Sequence, residues 1–345
     1  MGVFSTGGVG IDAGSANITI CLENEGVVLR EPSYVLTLRD DPDEILAFGR
    51  DARQMLGRTP QDAALRAPIQ YGAVADVHMA TSLMRDLADK ALGKRRALER
   101  NRIVVSCSTG CTRVEREAMQ EAVNALGAKR AFIAHSAVAA AGGAGVPMEQ
   151  PKGSMLVSIG SATTEVSVLS MNGIVATRTV RTGSTAIDEA IVRFIRYNKN
   201  LIIGQRTAED MKIDLGSAVL MEGQPELVSL RGRNATTGKP ATVDVSSTEI
   251  CLAIRQPLEM LLENIQNAFE NVPAEIGEDV LREGIYLTGG GALLEGLGKS
   301  LGEMLNMRVN MGETPQDDAA VGACTIAANE RLLQKLIQSG CVAEI

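Results

Sequence analysis

The sequence predicts an α/β protein of two pseudo-symmetric halves, each organised around a mixed sheet. Three observations lead there. The chain has 345 residues, and at roughly 100 to 200 residues per domain that length suggests about two domains. Strand-like and helix-like segments alternate through both halves, the pattern of layered α/β architectures. A hairpin pattern also occurs twice. Val9-Gly10-Ile11-Asp12-Ala13-Gly14-Ser15-Ala16-Asn17-Ile18-Thr19-Ile20 reads as an apolar strand, a tight glycine turn and an alternating return strand. Met155-Leu156-Val157-Ser158-Ile159-Gly160-Ser161-Ala162-Thr163-Thr164-Glu165-Val166-Ser167-Val168 repeats it. Each copy runs on into a second turn and strand, at Glu25-Gly26-Val27-Val28 and at Asn172-Gly173-Ile174-Val175, so each half opens with a β-meander and the boundary falls near Pro151.

The other elements follow in order. Residues 50–56 have helical character, and 79–92 form a clearer amphipathic helix with Leu83, Met84, Leu87 and Leu92 near helical spacing. A basic cluster, Lys94, Arg95, Arg96, Arg100 and Arg102, precedes the short buried strand Ile103-Val104-Val105-Ser106. Thr112 caps a helix reaching residue 126, with Glu115 completing a capping box and Gly127 at the end. Ala131-Phe132-Ile133-Ala134 is a strand that leads into the alanine-rich helix 137–141.

The second half adds helices over 186–197 and 207–215 and a polar β-like stretch over 226–245. Ser246 and Glu249 form another capping box, opening a helix to about residue 270. Pro257 removes one backbone hydrogen bond there and predicts a kink. Glu283-Gly284-Ile285-Tyr286-Leu287 is a strand ending in Thr288-Gly289-Gly290-Gly291-Ala292, with a helix just after.

Composition excludes several function classes. Lys plus Arg is 34 against 42 for Asp plus Glu, a formal charge of -8, so no chain-wide basic field exists to hold nucleic acid. Aromatics are 3% with no Trp, whereas glycine reaches 35 residues, favouring tight turns and close backbone approaches over stacking surfaces. The six cysteines are scattered without a CxxC pair and read as reduced thiols, and His78 and His135 lie too far apart for a ligand-spaced metal cluster. No run approaches the ~18 to 20 apolar residues of a membrane span. The start of the chain lacks the features of a secretory signal, so residence in the cytosol is expected. Residues 1–6 fit the loose myristoylation pattern, which specifies too few positions to outweigh chance.

Three glycine-rich turns carry the chemistry. At 12–17 and 158–163 they look like copies of one hairpin, a pair that could clamp a polyphosphate from both sides with backbone N–H groups. The third, at 288–292, opens a helix and offers bare amides to a nucleotide.

Together these turns resemble the actin, sugar-kinase and heat-shock chaperone ATPase superfamily, and more closely MreB, the bacterial actin. Gly10-Ile11-Asp12-Ala13-Gly14-Ser15-Ala16-Asn17 is similar to the family's G-I-D-L-G-T-A-N. The likeness covers nearly the whole chain. It continues in Glu31-Pro32-Ser33, Gly49-Arg50-Asp51-Ala52, Met55-Leu56-Gly57-Arg58-Thr59-Pro60, Val114-Glu115-Arg116, Arg231-Gly232-Arg233-Asn234 and Leu287-Thr288-Gly289-Gly290-Gly291-Ala292-Leu293-Leu294. The resemblance implies an actin-like ATPase fold, two domains around a nucleotide cleft: residues 1–150, residues 151–313, and a segment 314–345 returning to the first domain. It implies ATP and Mg²⁺ as cofactors, with Asp12 orienting the metal through water. Gly14, Ser15, Ala16 and Asn17 would line the phosphates, and Gly160, Ser161, Ala162 and Thr163 would face them. Glu209 and Lys212, matching an E-x-x-K that meets ribose and adenine, share a helical face, and Gly289, Gly290, Gly291 and Ala292 would contact nucleotide at the domain junction.

Departures from the family pattern gather at the hydrolytic centre. The family's D-I-G-G-G-T-T-E is Ser158-Ile159-Gly160-Ser161-Ala162-Thr163-Thr164-Glu165, which replaces an aspartate with Ser158 and puts Cβ atoms where two glycines would approach phosphate. The family's E-E-P-M-A-A-A is His135-Ser136-Ala137-Val138-Ala139-Ala140-Ala141, so Ser136 stands where a glutamate positions the attacking water. G-G-D-x-F-D has become Gly183-Ser184-Thr185-Ala186-Ile187-Asp188, and K-D-G-V-I-A-D has become Gln70-Tyr71-Gly72-Ala73-Val74-Ala75-Asp76. A positioned base typically supplies ~10²- to 10⁴-fold in rate, and a serine hydroxyl is a poor one.

The implied protein is a filament former, or a scaffold beside an orthodox MreB-like filament, with weak or absent ATP hydrolysis. The alternatives are an active filament that sets cell shape, with His135 as substitute base, and a monomeric chaperone-like regulatory module. Lys94, Arg95 and Arg96 would attract the protein to anionic lipid, at ~1 kcal/mol per basic residue near the surface.

Overall fold

The computed structural model of the protein describes residues 7–93, 98–128, 130–220, 223–269, 272 and 274–345. The chain opens with the meander β1 (Gly8–Ala13), β2 (Asn17–Leu22) and β3 (Gly26–Pro32). A small lobe follows: β4 (Val35–Leu38), β5 (Ile45–Phe48), α1 (Gly49–Arg53), β6 (Ala63–Arg66), and the ribbon β7 (Ile69–Gln70) and β8 (Ala73–Val74). Then come α2 (Val77–Leu92), β9 (Arg102–Cys107), α3 (Arg113–Asn124), β10 (Arg130–His135) and α4 (Ser136–Gly143).

The second meander is β11 (Ser154–Ile159), β12 (Thr164–Ser170) and β13 (Gly173–Val180). It is followed by α5 (Thr185–Asn198), β14 (Leu201–Ile202), α6 (Gln205–Leu215), the hairpin β15 (Leu227–Asn234) and β16 (Pro240–Ser246), α7 (Ser247–Phe269) and α8 (Ala274–Glu283). The chain closes with β17 (Ile285–Thr288), α9 (Leu297–Leu305), β18 (Val309–Met311), α10 (Asp318–Ala328), α11 (Glu330–Gln338) and β19 (Val342–Glu344).

Two sheets share one plan. The first runs β3-β2-β1-β9-β10 with β19 added at its edge, and the second runs β13-β12-β11-β17-β18. In each, the meander is antiparallel and the next two strands are parallel to its first strand. The central strands β1, β9, β11 and β17 are buried on both faces, which is why they read as apolar runs. One core, with Leu83, Met84, Leu87, Ile103 and Ile133, covers one face of the first sheet. The other face carries α4 and α10, with Val138, Phe132 and Ile326. The second sheet packs its Met155, Val157 and Leu287 against Leu261 and Ile265 of α7 and Leu301 of α9. Helix α10 lies on β1 and α4, and β19 pairs with β10, so the last elements build onto the first sheet.

Both capping boxes form. Thr112 Oγ1 accepts from the Glu115 N–H while Glu115 takes the Thr112 N–H, and Ser246 and Glu249 do the same. We expect Thr112→Ala to lower stability by about 1 kcal/mol, read as a shifted urea midpoint; no shift would mean that Glu115 alone holds the helix start.

Helix α7 runs through Pro257 to Phe269, the extent the sequence reading gave it. Two details differ from that reading. Glu283 ends α8 rather than starting a strand, and Gly284 makes the break at φ +82°. The 288–292 turn enters a short 3₁₀ turn, Gly290–Leu293, before α9 begins at Leu297. Lys94, Arg95 and Arg96, the proposed lipid contacts, lie outside the described residues, as do residues 1–6. Of the same cluster, Arg102 is engaged internally, donating to the Ala327 carbonyl and pairing with Glu330. Among the described residues no helix is long and apolar enough to cross a membrane.

Candidate functional site

The two meanders turn their hairpin loops toward one cleft of about 520 Å³ between the halves, a volume suited to a small organic ligand. The loops are built alike. The Gly14 N–H donates to the Asn17 carbonyl at 3.1 Å, and the Gly160 N–H donates to the Thr163 carbonyl at 2.8 Å. Ser33 pins the first loop, its Oγ donating to the Gly14 carbonyl and its N–H to that of Ala16. The second is pinned by the start of α5, where the Ser184 and Thr185 N–H groups donate to the carbonyls of Gly160 and Ser161.

The Cβ atoms of Ser161 and Ala162, placed where the family has glycines, do not redirect the second turn. Neither has a positive φ, so each Cβ is carried without backbone strain, and Gly160-Ser161-Ala162-Thr163 closes as Gly14-Ser15-Ala16-Asn17 does.

Each hairpin places one carboxylate on the cleft. In the first, Asp12 on β1 lies opposite Thr19 on β2; in the second, Ser158 on β11 lies opposite Glu165 on β12. Residues directly opposite in an antiparallel pair share a face, so the first hairpin's acid on its first strand and the second hairpin's acid on its return strand occupy the same side of their hairpins. All four line the cleft. The Ser106 hydroxyl donates to Asp12 Oδ1. Glu165 accepts three hydrogen bonds: Ser108 Oγ to Oε1 at 2.5 Å, the Thr109 N–H to Oε1 at 3.2 Å, and Ser136 Oγ to Oε2 at 2.5 Å.

Burial pushes the Asp12 pKa up, Ser106 opposes this, and Glu165 and Asp317 add to it. Asp12 therefore holds its proton more tightly folded than unfolded. Its stabilising contribution is present below the ordinary value of 3.8 and lost as pH rises through the folded value. We expect Asp12→Asn to raise the melting temperature of nucleotide-free protein at neutral pH, with the gap narrowing on acidification; a pH-independent gap would remove the ionisation argument.

On the opposite wall, α6 presents Glu209 and Lys212. Lys212 Nζ pairs with the buried Asp188 of α5 at 2.7 Å, and Glu209 pairs across the cleft with Arg53 of α1. At the junction, Gly289 has φ +86°, and a Cβ there would stand 2.4 Å from the Ile159 carbonyl oxygen, so only glycine lets β17 end against β11. Gln316 brings a side-chain oxygen that is buried with no donor paired to it, an acceptor left open on the wall.

The family model described as MreB/Mbl protein matches residues 6–335. The chain belongs to the MreB/Mbl family. Among its MreB/Mbl relatives, the cell shape-determining protein Mbl of Bacillus subtilis is 35% identical over 327 residues, 95% of this chain and 97% of that protein. The cell shape-determining protein MreB of Escherichia coli is 37% identical over 324 residues, 93% of each chain. Crystal structures of MreB5 of Spiroplasma citri, bound to ADP and to AMPPNP, each match with a TM-score of 0.88 at 28% identity, over 97% of this chain and 99% of theirs. A MamK double helical filament structure matches with a TM-score of 0.74 at 18% identity, over 93% of this chain and 98% of that one, and shows the fold alone. The fold is actin-like.

Within this MreB/Mbl frame the cleft brings together Asp12, both hairpin loops (14–17 and 160–163), Ser136, Ser158, Glu209, Lys212 and Gly289, Gly290 and Gly291. Two expected residues are elsewhere. Ala292 is 2% exposed and packs in the core of the second half. His135 does not line the cleft, because it ends β10 facing α3, where Arg116 Nη2 lies 3.1 Å from its Nε2. Burial and the Arg116 charge bring its pKa down to about 4, so the ring is neutral at pH 7. Only at Ser136, one residue later, does the chain turn into the cleft. The cleft carboxylate absent from the expected site residues is Glu165, which aligns with the last E of D-I-G-G-G-T-T-E; the repeat also signals it, since Asp12 to Thr19 and Ser158 to Glu165 span the same distance along the chain.

Proposed function

We propose that this MreB/Mbl protein binds ATP with Mg²⁺ in the cleft, polymerises, and hydrolyses the nucleotide slowly. The observation that carries the reading is the pair of like-built hairpin loops facing one cleft in a chain of this family. Nucleotide in the two MreB5 structures and the cell-shape role in the names of the Mbl and MreB relatives support it. The loops would hold phosphate oxygens with backbone N–H groups. Lys212 and Glu209 would meet the nucleoside, with the open acceptor of Gln316 available to a donor on it.

The residues also suit a hydrated divalent ion. Asp12 stands among Glu165 and Asp317 with one hydroxyl donor, an acidic setting that such an ion would neutralise. When bound, Mg²⁺ would supply charge neutralisation at the phosphates. Among the described residues no group of three or more His, Cys, Asp or Glu side chains could hold a metal by itself, so the proposed ion would take its remaining ligands from water and phosphate.

Slow rather than absent turnover rests on Glu165, which would orient water. Three donors already occupy it, and Ser136 replaces a second acid, so hydrolysis is expected below that of relatives with both. Self-association is supported by Tyr197, Ile213, Leu220, Leu227 and Leu252, each more than half exposed on the lobe between α5 and α7. A membrane-apposed filament determining cell shape is the cellular form of this reading.

The test is electron microscopy and calorimetry of the purified protein with MgATP and without it. ATP-dependent polymers and a saturable heat are expected from wild type, and neither from Asp12→Ala. A monomer under all conditions would leave the regulatory-module reading, and no heat would overturn nucleotide binding.

A further inference from the structure

We propose that Cys107 and Cys111 form a dithiol modification site at the edge of the cleft, closed to an intramolecular disulfide by low-molecular-weight disulfides. Cys107 ends β9, and a turn closed by the Cys111 N–H donating to the Ser108 carbonyl at 3.2 Å folds the chain back on it. The two sulfurs stand 3.6 Å apart, the Cys107 thiol donating to Cys111. Closing that contact to a bond of about 2.05 Å takes side-chain rotation within one turn.

The roles of the two sulfurs differ. Cys107 is buried and Cys111 half-buried. Cys111 immediately precedes Thr112, the N-cap of α3, where the helix dipole favours an anion. Its pKa is lowered to about 7 by the Cys107 hydrogen bond, with burial opposing and the Arg116 charge assisting. Cys111 is therefore the attacking sulfur and Cys107 the resolving one.

The Cys111 thiolate attacks one sulfur of a small disulfide, RSSR, giving Cys111–S–SR and releasing RS⁻, which takes a proton. Cys107, losing its proton to water, then attacks Cys111 Sγ and expels the second RS⁻. Two cysteine thiols are oxidised and one RSSR is reduced to two RSH.

The bond would be felt in the cleft. Between the cysteines lie Ser108 and Thr109, which supply two of the three hydrogen bonds to Glu165. Thr109 Oγ1 also accepts the Ala137 N–H at the start of α4. Reshaping this turn loosens Glu165 and the helix start together, whether or not nucleotide binds.

Full-length protein equilibrated with oxidised glutathione, then alkylated with N-ethylmaleimide and digested with trypsin, tests the site. Cleavage after Arg102 and Arg113 yields peptide 103–113, which holds both cysteines and no other. The expected product is this peptide lighter by two hydrogens and unlabelled, whereas Cys107→Ser leaves glutathione on Cys111. A wild-type peptide carrying two alkyl labels, or a lasting glutathione adduct, would overturn the proposal. Hydrogen exchange at the Thr109 and Ala137 amides reads the link to the cleft: faster exchange on oxidation is expected, and unchanged exchange would refute that link.

Discussion

Glu165→Gln lowers phosphate release from MgATP by about 10²-fold, the lower range for a positioned base, and leaves ATP affinity nearly unchanged. Glu165 is the one carboxylate that the second hairpin brings to the cleft, opposite Ser158 and clasped by Ser108, Thr109 and Ser136. The amide keeps the shape and can still accept hydrogen bonds, but it loses the charge that would draw a proton from water. A loss confined to turnover assigns Glu165 to chemistry, because an interaction realised only in the transition state lowers kcat and not binding. Single-turnover phosphate release alongside calorimetric affinity decides it. Equal turnover in wild type and variant would return the centre to the acid-depleted state that the aligned positions suggested.

Gly322→Ala destabilises the protein by about 3 kcal/mol, the upper range for overpacking. Gly322 lies where α10 crosses α4, and a Cβ there would be 1.7 Å from the Ala139 carbonyl oxygen and 2.7 Å from the Gly143 nitrogen. Both are backbone atoms, so the methyl fits only if the helices part. Parting them lifts α10 from β1 and disturbs α4, whose first residue, Ser136, reaches the cleft. Gly298→Ala in the first turn of α9 is the control: its nearest new contact is 3.6 Å, and alanine is favoured over glycine in a helix, by at most roughly 0.5–1 kcal/mol this near its start. Urea unfolding of the two variants should move in opposite directions; similar midpoints would mean that the α4–α10 crossing yields easily.

How much of this was legible beforehand follows from the range of each signal. Helix starts were readable at Thr112 and Ser246 because a capping box is written within four consecutive residues. The small lobe β4–β6 and the elements α8 to α11 were less readable. Their strands are short, and helices such as α10 are small-residue segments whose partner faces lie far away in sequence.

The sequence by itself determined the duplicated meanders, the cleft-facing loops and the family, because strand alternation and glycine turns are local signals and the hairpin repeats along the chain. The tertiary structure alone decided which side chains meet in the cleft. Strand register placed Glu165 opposite Ser158 and within hydrogen-bond reach of Ser136, the end of β10 turned His135 out toward Arg116, and the packing of the 3₁₀ turn Gly290–Leu293 took Ala292 into the core. Those facts depend on contacts between residues distant in the chain, which no local pattern of strand alternation or glycine turns encodes.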